Sequence, residues 1–409
     1  MKNKKIIFGI LTSSNNYDNN LNLNIEIYKK IFKVYGNFCI LNVSNLRIFK
    51  SKDTSPERKS LFFSKKIKIY KPNSLHELKS IFEGKTLIAF NNLGKTFSYF
   101  KVYLFLNLID LKQILLLNID QSNNFKIFIN TKKVSSFFVS LLFFLRKNFV
   151  YYIFRILTII NVFPKIEAYF ESSIKVVNSV NGGFSKKFEN LFPFTKFSYF
   201  RNVYRINSKS FDFKKKITPK NKYITFIDTN FENQDRIYRE GKIDKNIKKK
   251  YYNNLQNLFF YLNKIFKKEI IFCIHPSNKD KTIYKSLKNF KIVKYKTSEF
   301  IKDSHIVLFH ESSPIMDAVI LKKKIICLKS SLLGTYLTDR TNNYQNLLGV
   351  FSINLKNNYS FKKKYVLNEI NKSQKKLNAY IKQNLQADNE QLGSDKVIKI
   401  FDKIIKREK

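Results

Sequence analysis

The chain has 409 residues, 44% of them hydrophobic, which supports two packed domains and excludes a mainly disordered protein. Its 76 Lys and Arg against 30 Asp and Glu leave a net charge of +46, but the excess is mostly Lys spread over the whole length. Asn and Ile are abundant too, as A- and T-rich codons favour, and no Arg-rich cluster or ordered array of aromatics marks a nucleic-acid module. The charge therefore reads as a solvated surface that attracts anions: a nucleotide, an acidic glycan or an anionic leaflet.

Cys39, Cys273 and Cys327 all lie in apolar runs, as small core residues of a reduced compartment do. No metal-ligand spacing joins them to the four histidines, so neither a metal nor a cofactor is expected. The basic start followed by Ile6 to Leu11 is too short for a signal peptide and reads as a first strand. The expected location is the cytoplasm, with peripheral contact at the cytoplasmic face of the inner membrane.

The first half alternates. Lys5 to Leu11 predicts a strand, Leu23 to Val34 a helix, and Phe38 to Val43 and Ile67 to Tyr70 two further strands. Ser74 and Glu77 have capping-box spacing, so a helix starts there, and Gly84 caps its end. Thr86 to Phe90 and Ile114 to Ile119 continue the strands with helix between them, the pattern of a parallel sheet of βαβ units.

Phe137 to Leu145 and Phe149 to Phe163 are very apolar, but charged residues at 146, 147 and 155 keep any run short of the about 20 residues of a spanning helix. Arg146 and Arg155 fall on opposite helix faces. Two readings follow, buried helices or peripheral membrane contact.

The segment 201–222 reads as a linker between an N-terminal domain (1–200, including the apolar stretch 136–163) and a C-terminal domain (223–409) with closing helices. Tyr223 to Asp228 restarts the alternation. A long helix follows from about Asp244 to Lys267, with Ile247, Tyr251, Leu255, Leu258, Leu262 and Ile265 at helical spacing. Glu269 to Ile274 is a strand ending at His275-Pro276. Lys291 to Val293 is another, and Thr297 or Ser298 caps a brief helix. His305 to Phe309 is a strand ending at His310-Glu311-Ser312-Ser313, with Ser313 as cap and Pro314 in the first turn of the next helix. Lys324 to Leu328 is the strand after it, and Ser360 onward is helical. Two such α/β domains in succession predict two facing doubly wound sheets with a ligand between them.

The chemistry concentrates at two loops. A residue before proline is driven extended, so His275-Pro276 ends its strand in a defined direction and holds the imidazole at the carboxyl edge. Ser313 as a cap would leave free N–H groups at a positive helix end, and two hydroxyls would add donors for an anion. Thirty-seven residues separate the loops, enough to bring both to one edge of one sheet. Glu311 is a candidate acceptor for ribose or sugar hydroxyls, and Asp317 lies one turn after Ser313.

These residues resemble the donor half of two-domain transferases of the GT-B fold that use cytidine nucleotides. Bacterial sialyltransferases and polysialyltransferases carry a His-Pro and a Ser-Ser/Thr motif in this order. CDP-glycerol glycerophosphotransferases carry His-Pro, then Ser-Ser with Asp four residues after the second Ser, as Asp317 follows Ser313 here. Lys323 to Leu328 is similar to the strand that comes next in that family. Tyr223 to Asp228, Tyr251-Tyr252 and His275-Pro276 also resemble proteins encoded with surface-polysaccharide genes. The resemblance covers residues 220–335.

It implies a GT-B-like, metal-independent glycosyltransferase of capsule or lipopolysaccharide synthesis. A CMP- or CDP-linked donor would lie on His275, Pro276, His310, Glu311, Ser312, Ser313 and Asp317, and the acceptor would be a glycan or lipid-linked. Two departures matter. His310-Glu311 stand where the glycerophosphotransferases have Asp-Tyr, and the acid-acid-Gly motif that supplies the sialyltransferase base is absent, since Phe82-Glu83-Gly84 has one acid. Asp18 and Asp120 are the positional candidates for a base. The competing readings are a non-catalytic polysaccharide synthesis or export protein of the same fold and a basic nucleic-acid-binding protein.

Overall fold

The computed structural model describes residues 5–13, 24–48, 67–93, 97–116, 149–150, 153–154, 156–158, 160–174, 200–214, 220–230, 236–237, 240–276, 278, 283, 286–387 and 391–408. They form two compact units. One gathers 1–118, 127–209 and 387–409, the other 119–126 and 210–386.

In the first unit the elements run β1 (Lys5–Thr12), α1 (Ile25–Tyr35), β2 (Cys39–Asn42), β3 (Lys68–Tyr70), α2 (Leu75–Phe82), β4 (Lys85–Asn91), α3 (Phe100–Leu106), β5 (Asp110–Leu116), β6 (Ile166–Glu171) and β7 (Phe200–Arg205). All pair in parallel, in the order β3-β2-β1-β4-β5-β6-β7. The capping box forms one residue out of register. Ser74 Oγ accepts from Glu77 N at 3.1 Å, while the Glu77 carboxylate reaches back to Asn73 N at 2.7 Å. Gly84 turns the chain out of α2 with φ +65, a conformation its lack of Cβ permits.

Two parts of this unit differ from the sequence expectation. The start of the segment read as linker, with a short extended run at Asn202 to Ile206, is the edge strand β7 of the first sheet, Phe200–Arg205. The strand β6 was not expected at all. Its six residues are all buried, although Glu167 and Glu171 interrupt the apolar run. Of the apolar stretch, residues 137–145 lie outside the described residues. Val150, Phe154 and Phe163 pack into the first core, with the Phe154 ring 5.1 Å from Tyr103. Phe149, Ile156 and Ile160 are exposed. Among the described residues no helix is long and apolar enough to cross a membrane.

The second unit runs α4 (Lys209–Lys214), β8 (Tyr223–Ile227), α5 (Lys245–Phe266), β9 (Ile270–Ile274), β10 (Lys291–Lys294), α6 (Thr297–Lys302), β11 (Ser304–Phe309), α7 (Ile315–Ile320), β12 (Lys324–Lys329), α8 (Gly334–Leu348), β13 (Phe351–Asn354), α9 (Lys363–Lys372) and α10 (Gln374–Tyr380). Its sheet is parallel with order β10-β9-β8-β11-β12-β13. Near-continuous apolar runs make β8, β9, β11 and β12 buried strands, as a parallel sheet covered on both faces requires. The Asp244 carboxylate caps α5 through Asn246 N at 2.6 Å, and Tyr251, Leu255, Leu258, Phe259, Leu262 and Phe266 bury against the sheet. Ile247, expected on that face, is exposed.

A last helix, α11 (Gly393–Glu408), belongs to the first unit, whereas the sequence reading places it in the C-terminal domain. Val397, Ile398, Ile400, Phe401 and Ile404 enter the core beside Phe8 and Phe90. Phe401 stacks on Phe8 at 5.7 Å, Tyr35 Oη donates to Asp402 at 2.7 Å, and Lys30 pairs with Asp395. The helix has one apolar face, and that face closes the back of the first sheet. Cys39, Cys273 and Cys327 are free and buried, and burial pushes each thiol up to about 12.

Candidate functional site

The second sheet reverses its order between β8 and β11, and in an open α/β sheet that is where ligands meet the strand ends. A cavity of about 500 Å³ lies there, within the usual range for a small-molecule site. Its walls are the carboxyl ends of three strands: Ile227, Asp228 and Asn230 after β8, Cys273 to Pro276 after β9, and Glu311 to Pro314 after β11. Thr297, Arg340 and Tyr344 complete it.

The loops are held by a small set of polar contacts. The Asp228 carboxylate accepts from the His275 backbone N–H at 3.1 Å and from Asn278 Nδ2 at 3.0 Å, while Asn278 N bonds His275 O at 2.9 Å. One carboxylate thus fixes the whole turn after β9. Thr229 Oγ1 donates to Glu311 O at 3.1 Å and ties the β8 loop to the β11 loop. Burial holds the His275 imidazole below its ordinary pKa, and the Lys294 ammonium adds to the effect. The ring is therefore neutral at pH 7, a hydrogen-bonding group rather than a charge.

Five of the seven predicted donor-site residues come together in this cavity: His275, Pro276, Glu311, Ser312 and Ser313. The other two are elsewhere. His310 is fully buried, with Nε2 2.9 Å from Tyr251 Oη and Nδ1 2.5 Å from Leu328 O. A carbonyl only accepts, so Nδ1 carries the proton and Tyr251 donates to Nε2. Burial lowers this imidazole to about 4, so it stays neutral and serves to tie α5 to the sheet. Asp317 is also buried and accepts from Ser210 Oγ at 2.7 Å and Ser298 Oγ at 2.6 Å, joining α4, α6 and α7 instead of orienting Ser313.

The helix after the serine pair starts differently from the expectation as well. Pro314 takes the capping position, and the N–H groups of Ile315, Met316 and Asp317 bond to the carbonyls of Ser312, Ser313 and Pro314. Those donors are engaged, so no open ring of backbone N–H groups remains for an anion. The hydroxyls of Ser312 and Ser313 remain, neither making a hydrogen bond among the described residues. Ser298 likewise does not cap α6, because its hydroxyl goes to Asp317.

Asp228, Asn230, Thr297, Arg340 and Tyr344 are members of the site that sequence reasoning missed, and Arg340 is the cation among them. It sits on α8, and its Nε donates to Glu311 Oε1 at 2.8 Å, with Nη2 on the same oxygen. Burial lifts the Glu311 carboxyl above the usual range and Arg340 pulls it back. Glu311 was expected to accept from sugar hydroxyls; here it holds a guanidinium at the cavity wall. Arg340 brings a planar fork of donors suited to a phosphate or carboxylate. Asp18 and Asp120 lie outside the described residues. Among the described residues, no cluster of three or more His, Cys, Asp or Glu is placed to hold a metal ion.

No protein-family model matches the chain, and no curated protein matches it by sequence. Solved structures do resemble it. A variant of the wall teichoic acid polymerase TagF is 16% identical, with 100% of this chain and 90% of that one covered and a TM-score of 0.52. The UDP-GlcNAc 2-epimerase of Methanocaldococcus jannaschii is 13% identical over 97% of this chain and 99% of that one, TM-score 0.47. MnaA of S. aureus with UDP is 11% identical over 98% and 97%, TM-score 0.48. The likeness to TagF, with two parallel sheets flanked by helices in two units, makes the fold GT-B-like.

Proposed function

We propose that this protein is a glycosyltransferase-like enzyme of bacterial surface-polysaccharide synthesis that takes a nucleotide-activated donor, CMP- or CDP-linked, into the cavity of the second sheet. The observation that carries the reading is the convergence of His275, Ser312, Ser313 and Arg340 at the β8/β11 reversal. The likeness to TagF, a polymerase of a cell-surface polymer by its name, supports the same class of work.

In this reading the serine hydroxyls hold the donor's phosphate, the Arg340 guanidinium, held in place by Glu311 and Tyr336, puts a positive charge beside it, and His275 donates to a phosphate or ribose oxygen. The acceptor oxygen forms the new bond to the transferred carbon while the bond from that carbon to the phosphate oxygen breaks. The electron pair stays on the phosphate, where these donors stabilise the growing charge without the reorganisation that water would require. The acceptor proton goes to a carboxylate, for which Asp18 and Asp120 remain the proposed groups. The acceptor is a glycan or lipid-linked. Phe149, Ile156 and Ile160, exposed on a chain of net charge +46, suit peripheral contact with an anionic leaflet.

Calorimetric titration with CMP, CDP, UDP and GDP tests the donor site. A cytidine nucleotide is expected to bind, and His275→Ala to weaken it. If no nucleotide binds, or His275→Ala binds as wild type does, the reading fails. Binding without transfer to any glycan acceptor would instead assign the chain to the non-catalytic alternative.

A further inference from the structure

Among the described residues of the second unit, Tyr295 is an aromatic residue held with a left-handed backbone. It follows β10, and the register pairs Lys294 with Ile274. Tyr295 is the first residue past that pair on β10, as His275 is on β9. Its φ is +65, the left-handed region where a Cβ crowds the next carbonyl and an aromatic residue is an outlier. The side chain is not compensated by core packing, because the residue is 70% exposed. Lys294 Nζ lies 5.4 Å from the ring centroid and also donates to Asn278 O at 3.3 Å, in the turn that begins at His275. Two residues further on, Thr297 lines the cavity.

The ends of β10, β9, β8 and β11 thus carry, in spatial order, Tyr295, His275, Asp228 and the Ser312-Ser313 pair. Three strand spacings separate the first from the last, about 14 Å, a span suited to a nucleotide laid across the edge with its phosphate at the serines. Backbone strain held without a packing return is characteristic of ligand clamps.

We propose that Tyr295 is the stacking platform for the nucleobase of the donor, an inference that rests on the donor-site reading above. The phosphate lies at Ser312 and Ser313, the ribose passes His275, and the base covers the exposed phenol face. Every base has a π-face, so this contact adds affinity without choosing between cytosine and uracil. Tyr295 is a positioning residue: it fixes where the nucleoside ends and hence where the reacting carbon sits.

The chain contains no tryptophan, so Tyr295→Trp introduces a single indole. CMP and CDP are expected to quench its fluorescence, whereas ribose 5-phosphate and inorganic pyrophosphate leave it unchanged. In calorimetry Tyr295→Ala is expected to bind CDP about tenfold more weakly, Tyr295→Phe to match wild type, and pyrophosphate to bind all three alike. Tyr295→Gly, which holds the same φ without strain, is expected to melt no lower than wild type yet bind CDP as poorly as Tyr295→Ala. Equal CDP affinity in wild type and Tyr295→Ala would overturn the stacking role and leave the donor site standing. A wild-type protein that binds no nucleotide would overturn both.

Discussion

The tripeptide Glu-Ser-Ser ends a buried parallel strand twice in this molecule, at Glu171 to Ser173 after β6 and at Glu311 to Ser313 after β11. In the first unit the carboxylate turns back on its own chain. Glu171 Oε1 accepts from Ser172 N at 2.7 Å and Ser173 N at 3.1 Å, Tyr169 Oη donates to Oε2 at 3.2 Å, and the residue is 2% exposed. In the second unit the carboxylate is held by Arg340 from another helix, and the two serines face a cavity. The same three residues close a turn in one place and open a site in the other. What differs is the partner of the carboxylate, and a partner 29 residues away is set by the fold rather than by the motif.

The contrast can be broken at either end. Glu171→Ala should have the largest effect, because it removes the buried carboxylate to which two N–H groups and the Tyr169 hydroxyl donate. A loss of about 3 kcal/mol is expected in chemical denaturation, with CDP affinity unchanged. Arg340→Ala should do the reverse. CDP binding should weaken about thirtyfold, about 2 kcal/mol, as the positive charge beside the phosphate is lost and Glu311 is left without its partner. Stability should fall by only about 1 kcal/mol, since the pair is partly open to solvent.

Ser313→Ala should weaken CDP about fivefold and leave stability within about 0.5 kcal/mol. A change in melting temperature larger than its change in affinity would make the serine structural.

The smallest signature is in pH. Burial lifts the Glu171 carboxyl, against the pull of the Ser173 and Ser172 N–H groups and Tyr169. The native chain then keeps this proton to higher pH than the unfolded chain does. Its contribution to stability is therefore greatest below the ordinary carboxylate range and is lost as pH rises through the raised value. Glu171→Gln should flatten that decline, and an unchanged slope would show that the carboxyl is not lifted.

Much of the second unit was legible because, apart from the β8/β11 pair, strands adjacent in the sheet are consecutive in sequence. The four central strands β8, β9, β11 and β12 are short apolar runs followed by polar loops, so the edge that carries His275 and Ser312 could be read directly, whereas β13, Phe-Ser-Ile-Asn, has no such run and escaped. What escaped has physical causes. The strand β6 carries Glu167, which pairs with Arg201 on β7 at 2.9 Å, and a cross-strand ion pair looks like a broken apolar run when read along the chain. The helical pattern from Ser360 onward does not say which sheet α11 covers, since the apolar face of a terminal helix fits either core. His310 stands one residue past a strand buried on both faces, so only the packed position of Tyr251 reveals that it turns inward. Arg340 has no motif around it and reaches the site because α8 passes over the cavity.

The most direct test titrates CDP and CMP calorimetrically into wild type, Ser312→Ala/Ser313→Ala and Ser172→Ala/Ser173→Ala. Binding by wild type that is lost in the first double variant and kept in the second is the predicted result. No binding in any of the three, or equal losses in both variants, would contradict a donor site at the end of β11.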